Sequence, residues 1–376
     1  MIYLTYNDLP SGIFQSQVID VCHFISNRFN VPVRLVSFIS VKGFFKNKKN
    51  IKSKYSNSLV LPMFPRHSNW MLNKHILQFV LLFIQEKEII ARGVFATNIA
   101  LSLKRRGQIK KVVFDARGAY KAEFEEYLNK IVHINDDIAM LESNAIANSD
   151  FRLAVSQKLV EYWEQQYSYN SDKHVVIPCT LSEARKFDYT MQEIDQFREK
   201  YGYNKNDIIL IYSGSTADWQ SPQVIDDFLF HHLKNDDRIK VIMLSKFDLT
   251  QFSSYKEFES RIVQKWVGAN EVHDYLTIAD YGLLIREYSK TNEVASPVKF
   301  AEYLNAGLKV IISDNIGDYS DCVVKNDIGF ICKGDDTILM KNVSFEEKKR
   351  MNTFSIETFT KEWFVEKYKK IIFKNN

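Results

Sequence analysis

Several residues with chemical potential gather in the C-terminal third of the chain. The stretch Ser296-Pro297-Val298-Lys299-Phe300-Ala301-Glu302-Tyr303-Leu304-Asn305-Ala306-Gly307 carries start and stop signals for a helix. Ser296 is a natural N-cap, Pro297 suits the first helical position, and Gly307 suits the left-handed position after the last turn. A short helix placed directly before a strand points its unpaired N–H groups and positive dipole end at the sheet edge, where an anionic diphosphate can sit. Lys299 adds a full positive charge there. Arg286, just past the apolar run Gly282 to Ile285, approaches from the neighbouring strand end, and its planar fork matches phosphate oxygens. Glu302, further along the helix, suits the hydroxyls of a ribose. Together these residues form a seat for a nucleoside diphosphate, although the segment taken alone would serve equally well as a capped core helix.

The elements that must position this seat follow from hydrophobic periodicity. The chain opens as strand, loop and amphipathic helix: Ile2 to Tyr6, then Pro10-Ser11-Gly12, then Val18, Val21, Cys22 and Ile25. Short β-branched runs recur at Val33–Phe38, Ser58–Leu61, Glu88–Ala91, Lys111–Phe114, Phe151–Val155 and His174–Ile177, with helical patterns between most of them. A second series begins at Asp207–Gly214 and continues through Lys240–Leu244, Tyr281–Ile285 and Lys309–Ser313. Strands alternating with helices imply βαβ units and parallel sheets. The stretch from Cys179 to about Asp195 has no apolar period and reads as a linker. The expectation is therefore two αβ domains, 1–180 and 181–355, with a C-terminal helical segment over 356–376 crossing back to the first domain. Open parallel sheets bind ligands at the carboxyl ends of their strands, so two such domains facing each other make a cleft.

Bulk properties narrow the classes. A chain of 376 residues exceeds the size at which one core usually keeps growing. A net charge of +4 is small for a dedicated nucleic-acid binder. Four scattered cysteines do not make a disulfide framework and fit a reducing compartment. The N-terminus has neither a basic region nor a long apolar run, so it reads as a first strand, and the expected location is cytoplasmic. No G-x-G and no P-loop occurs, which argues against a dinucleotide oxidoreductase and a P-loop NTPase. No D-x-D occurs either, and the eight histidines lack ligand spacing; His231-His232 reads as a helix surface pair. The expectation is no metal and no cofactor. One cluster, Lys42 to Lys54, holds six lysines among Phe44, Phe45 and Ile51; it reads as a solvated basic loop or as a peripheral contact with anionic membrane.

The stretch from Ala279-Asp280-Tyr281-Gly282-Leu283-Leu284-Ile285-Arg286 through Ser296–Leu304 to Gly307 and Gly317-Asp318 resembles the donor-binding block of family 4 glycosyltransferases, especially members that build bacterial surface polysaccharides. Supporting matches are Pro10-Ser11-Gly12, Phe114-Asp115-Ala116-Arg117-Gly118, Val155-Ser156, Ile177-Pro178 and Tyr212-Ser213-Gly214. The resemblance implies a retaining enzyme of GT-B architecture, with two Rossmann-like domains facing across a cleft, that moves a hexosyl or N-acetylhexosaminyl group from a nucleoside-diphosphate sugar to a glycan or lipid-linked acceptor. It places Ser296, Pro297 and Lys299 at the donor diphosphate, Glu302 at the ribose, and Gly214, with the adjoining Ser215, at a strand end facing the phosphates. It lets Gly12 approach the donor closely and turns Asp115 and Arg117 toward the acceptor or the transferred sugar, the alternative for this pair being a structural ion pair. Two departures stand out. The first of the family's two glutamates falls on Val294, with Glu293 one position off, and the Arg and Lys that usually follow the strand ending at Gly214 are replaced by Ser215 to Gln220. Arg286 and Lys299 are expected to supply that charge. Two other readings remain open: an inactive nucleotide-sugar-binding subunit of a transferase complex, and a nucleotide-sugar epimerase of the same architecture.

Overall fold

The apolar runs form two all-parallel sheets. The computed structural model describes residues 1–64, 67–128, 137–334 and 336–373. Its first unit comprises 1–182, 294–296 and 364–376, and its second comprises 183–293 and 297–363.

The first unit is built on a seven-stranded sheet. Its strands are β1 (Ile2–Tyr6), β2 (Arg34–Ile39), β3 (Ser58–Pro62), β4 (Glu88–Arg92), β5 (Lys111–Asp115), β6 (Phe151–Ala154) and β7 (His174–Val176), in the spatial order β3-β2-β1-β4-β5-β6-β7. Parallel strands buried on both faces need continuous apolar sequence, and β1 is buried at all five positions. On one face Val18, Ile25, Ile51 and Tyr55 pack with Leu35, Val60, Tyr368 and Ile371. On the other Trp70, Leu77, Ile99 and Leu103 pack with Leu4, Val36 and Ile89. The Val365–Phe373 helix belongs to this unit and lies against β6 and β7.

The second unit has six strands: β8 (Ile208–Ser213), β9 (Ile239–Leu244), β10 (Ile262–Lys265), β11 (Tyr281–Leu284), β12 (Lys309–Ser313) and β13 (Gly329–Cys332). Their order is β10-β9-β8-β11-β12-β13. The direction of strand succession reverses between β8 and β11, and in open αβ sheets ligands bind at that switch point, outside the carboxyl ends of the strands. Gly214 follows β8 and Arg286 follows β11. A buried ion pair ties the opposite end of these strands together: Arg198 Nη2 lies 2.9 Å from Asp280 Oδ2, and the same carboxyl oxygen accepts the Ile209 N–H.

Several local expectations change. β10 and β13 escape the periodicity because both are edge strands of four residues; in β10 Val263, Gln264 and Lys265 are all exposed, and β13 is apolar but only partly buried. The expected linker contains a helix, Met191–Lys200, started by a Thr190–Glu193 capping box. The C-terminal segment is divided: a helix Phe345–Phe359 belongs to the second unit and packs on the Val298–Asn305 helix, and a 3-10 turn at Glu362–Phe364 separates it from Val365–Phe373. His232 is buried and not on the surface; it accepts the Ile338 N–H, and its other ring nitrogen lies 2.9 Å from the Phe228 carbonyl. All four cysteines are free thiols. Among the described residues no helix is long and apolar enough to cross a membrane.

Candidate functional site

At the switch point of the second sheet, two cations converge on one neutral oxygen. Lys299 lies in the first turn of the Val298–Asn305 helix, which packs on β11 and β12. Its ammonium donates to Gln220 Oε1 at 2.7 Å and lies 4.1 Å from the centre of the Tyr212 ring. Arg286 donates to the same Gln220 oxygen from Nη2 at 3.3 Å and to Asn292 Oδ1 from Nη1 at 3.1 Å. The Tyr212 hydroxyl is a third neighbour of Gln220 Oε1, at 3.2 Å. One amide carbonyl thus faces three donors, two of them from basic side chains.

Burial makes this arrangement expensive in the free protein. Lys299 is only 9% exposed. Burial, reinforced by Arg286, pushes its ammonium well below the usual lysine range, and Glu302 offsets this in part. Among the described residues no carboxylate comes within 4.0 Å of the Lys299 ammonium. A buried basic side chain whose nearest partners are an amide oxygen and a ring face lacks a counter-charge that its burial calls for.

The neighbouring residues build this seat. Gly214 has no side chain because Lys299 occupies the space: a Cβ there would collide with the ammonium and lie 2.8 Å from Lys299 Cε. Asn292, fully buried, accepts from Arg286 and donates to the Glu287 carbonyl at 3.1 Å, so it pins the loop after β11. Ser313 accepts the Arg286 N–H at 2.8 Å, and Ser221 accepts that of Glu287 at 2.9 Å. Tyr303, the buried residue after Glu302, accepts the Ser213 N–H at 2.9 Å and covers Gly282, where any Cβ would strike its ring.

The sequence-derived candidates fall as follows. Arg286 and Lys299 are brought together, and Gly214 lies beside them. Ser215 is exposed next to Gly214, and its carbonyl lies 3.2 Å from the Tyr212 hydroxyl. Glu302 stands exposed on the helix, where hydration keeps its carboxylate available to a ligand hydroxyl, although the atoms packed around it raise its pKa and Lys299 lowers it again. Ser296 is not the N-cap. Pro297 takes that position with extended φ −67° and ψ 122°, no side chain caps the helix, and the Ser296 hydroxyl accepts the Cys179 N–H at 2.9 Å within the first unit. Gly307 does adopt the left-handed conformation, with φ +85°. Val294, where the family's first glutamate would fall, is a buried core residue whose carbonyl accepts from Ser156 at 2.7 Å; Glu293 instead pairs with Lys290.

In the first unit Gly12 is exposed at the start of a helix capped by Ser11. Asp115 is 0% exposed, which corrects its expected contact with a ligand. One carboxylate oxygen accepts from the Tyr3 hydroxyl and from Arg117 Nη2 at 2.9 Å; the other lies 2.8 Å from Arg117 Nε. Asp115 therefore holds Arg117 in place, and Arg117, at the carboxyl end of β5, is the member of the pair that reaches solvent. Arg92, at the end of β4, joins the cluster through Asp8 at 3.2 Å and Asp115 at 3.9 Å.

Gln220, Tyr212 and Asn292 are the residues that sequence reasoning missed. Nothing local marks them; the one available signal was the replacement of the usual basic residues after Gly214 by a polar segment ending in Gln220. Among the described residues no group of three His, Cys, Asp or Glu side chains is placed to hold a metal ion.

No protein-family model matches the chain, and no curated protein matches it in sequence. Solved structures share its fold. The Anabaena protein HepE, solved in complex with UDP and glucose, aligns over 99% of both chains with a TM-score of 0.70 at 12% identity. WaaG, a glycosyltransferase involved in lipopolysaccharide biosynthesis, aligns over 100% of both with a TM-score of 0.62 at 13% identity. A putative UDP-N-acetylglucosamine 2-epimerase from Listeria monocytogenes aligns over 100% of this chain and 97% of its own, with a TM-score of 0.59 at 7% identity. The chain thus has the two-unit αβ fold of GT-B glycosyltransferases. Because an epimerase shares that fold, activity must be argued from the site.

Proposed function

We propose that this protein is a retaining glycosyltransferase that transfers a hexosyl or N-acetylhexosaminyl group from a nucleoside-diphosphate sugar to a glycan or lipid-linked acceptor in bacterial polysaccharide biosynthesis. The observation that carries this reading is the convergence of Lys299 and Arg286 on Gln220 Oε1 at the switch point of the second sheet. Breaking the glycosidic bond leaves negative charge on the departing diphosphate, and fixed cations in a desolvated seat stabilise that charge more than they stabilise the bound donor. In this mechanism the diphosphate takes over from Gln220 as the acceptor of the Lys299 and Arg286 hydrogen bonds. The uncapped end of the Val298–Asn305 helix adds N–H donors, and Glu302 accepts from the ribose.

With two side-chain cations on the leaving group, the reaction runs without a divalent metal. Retention follows the family resemblance, in which the acceptor hydroxyl attacks from the face the leaving group departs, so no enzyme nucleophile is required. Arg117, held by Asp115, is the first unit's contact to the acceptor or the transferred sugar.

Calorimetric titration with UDP, GDP and ADP tests the reading, together with slow hydrolysis of the matching nucleoside-diphosphate sugar in chelator. Binding of one nucleoside diphosphate and release of free sugar are expected. Binding without hydrolysis or transfer would favour an inactive donor-binding subunit, the reading that the buried Val294 supports. Interconversion of the sugar without release would indicate an epimerase.

A further inference from the structure

One helix of the first unit is apolar on two sides. The helix Asn73–Val80 turns Leu77 and, just past its end, Leu81 into the core beside Ile99 and Leu103. Its backbone is right-handed helical from Leu72 to Leu81, and a second set of side chains, Leu72, His75, Phe79, Leu82 and Phe83, faces water. Steps of three, four and three residues put them on one stripe, the pattern by which one helix seats against another. Leu72, Phe79, Leu82 and Phe83 are 50%, 62%, 72% and 73% exposed, and the Phe79 and Phe83 rings already pack edge to face at 5.1 Å.

Charge and symmetry indicate what covers this stripe. The basic segment Phe44–Lys54, a helix and not the loop its composition suggested, carries five lysines. From residue 67 to residue 85, by contrast, Lys74 is the single Lys, Arg, Asp or Glu. An anionic surface therefore finds little to hold here, whereas a second copy of the stripe fits. Turned antiparallel about a two-fold axis between Leu77 and Gln78, Leu72 of each copy meets Leu82 and Phe83 of the other, and His75 meets Phe79. The two Lys74 positions then stand ~10 Å apart along the helices, about one Debye length at physiological salt, so they repel weakly. The four apolar residues expose roughly 500 Å² per copy; a standard interface takes about 800 Å² per partner, about 65% of it apolar in homodimers, so the stripe supplies nearly the whole apolar share.

We propose that the protein forms a symmetric dimer in which the Leu72–Phe83 stripes of two copies pack antiparallel, each burying the surface that the other exposes. The contact lies over a face of the first sheet, where the helix packs against the Gly93–Lys104 helix. It stands apart from the sugar-transfer reading, which does not require it.

Sedimentation velocity of the full chain from micromolar to tenth-millimolar concentration tests the proposal. A reversible monomer–dimer equilibrium is expected, with a melting midpoint that rises with protein concentration. Phe79→Glu or Phe79→Lys alone should weaken dimerisation about a thousandfold, because an anchor ring is lost twice and like charges meet across the axis. Mixed in equal amounts, the two variants should pair again, which a merely structural lesion would not allow. Phe79 is exposed, so each variant should melt with the dilute parent. A parent that stays monomeric, whether or not it sediments with phosphatidylcholine vesicles, would overturn the proposal, as would a dimer that either variant leaves intact or variants that do not pair on mixing.

Discussion

Replacing Lys299 with methionine should strengthen the free protein and weaken its hold on the donor. The side chain is 9% exposed, and among the described residues no carboxylate lies within 4.0 Å of it, Glu302 acting only from further away. Desolvating an ammonium costs several kcal/mol even after relaxation. Against this stand one charge-assisted hydrogen bond to Gln220, worth about 1.5–3 kcal/mol, and a desolvated contact with the Tyr212 ring, worth about 2 kcal/mol. Repulsion from Arg286 works in the other direction. The balance lies near zero or is unfavourable, so Lys299→Met, which keeps the volume and leaves Gln220 its contacts with Arg286 and Tyr212, should be neutral or raise stability by ~1–2 kcal/mol. In a chain of this size that is an upward shift of the melting midpoint by a few °C. The same substitution removes a charged contact to the diphosphate worth ~1.5–3 kcal/mol, a loss of roughly 10–150-fold in nucleoside-diphosphate affinity. Differential scanning fluorimetry and calorimetric titration on the same preparation read both quantities. A variant that melts well below the parent while binding the nucleotide unchanged would refute the reasoning, because Lys299 would then be a structural cation.

Further outcomes follow from the same geometry. Gly214→Ala should weaken nucleoside-diphosphate binding about tenfold or more, since the new methyl displaces the Lys299 ammonium; titration reads it, and the melt should move little because only a flexible side-chain end must yield. Gly282→Ala, by contrast, should destabilise by roughly 1–3 kcal/mol in denaturant unfolding, as its methyl meets the body of the buried Tyr303 ring. Diphosphate affinity should fall as pH rises through the depressed Lys299 pKa, because the anion binds the protonated form; titrations in buffers of different ionisation enthalpy should show proton uptake on binding. In the first unit burial pushes the Glu142 carboxyl up to about 7, although it accepts from the Tyr120 and Lys121 N–H groups and the Tyr167 hydroxyl. Its folded form binds the proton more tightly than its unfolded form, so its stability contribution is full below the ordinary glutamate range and is lost as pH rises toward 7. Glu142→Gln should flatten that slope, worth about 3 kcal/mol, in melts followed from pH 4 to pH 8.

Much of this architecture was legible without coordinates. β1, β5, β9 and β12 announce themselves because a strand buried on both faces of a parallel sheet is apolar over most of its length, and that is a local property. β10 did not, since an edge strand keeps polar, exposed positions, and β13 did not, since four residues are too short a run to stand out. Arg286 and Lys299 could be placed for a similar reason: a strand's carboxyl end and a helix's amino end are encoded within a few residues, and in an αβ sheet both lie at the same edge.

The sequence by itself determined the alternation of elements, the positions of the two cations and the left-handed turn at Gly307. Only the tertiary structure decided that Gln220 and Tyr212 receive Lys299, that Asp115 is buried beneath Tyr3 and Arg117, and that Pro297 displaces Ser296 as the helix cap. The difference is one of range. Periodicity, turns and helix ends depend on neighbours along the chain, whereas the partner of a buried charge depends on which distant strands become neighbours in the sheet, and β8 and β11, some seventy residues apart, meet only once the fold has closed.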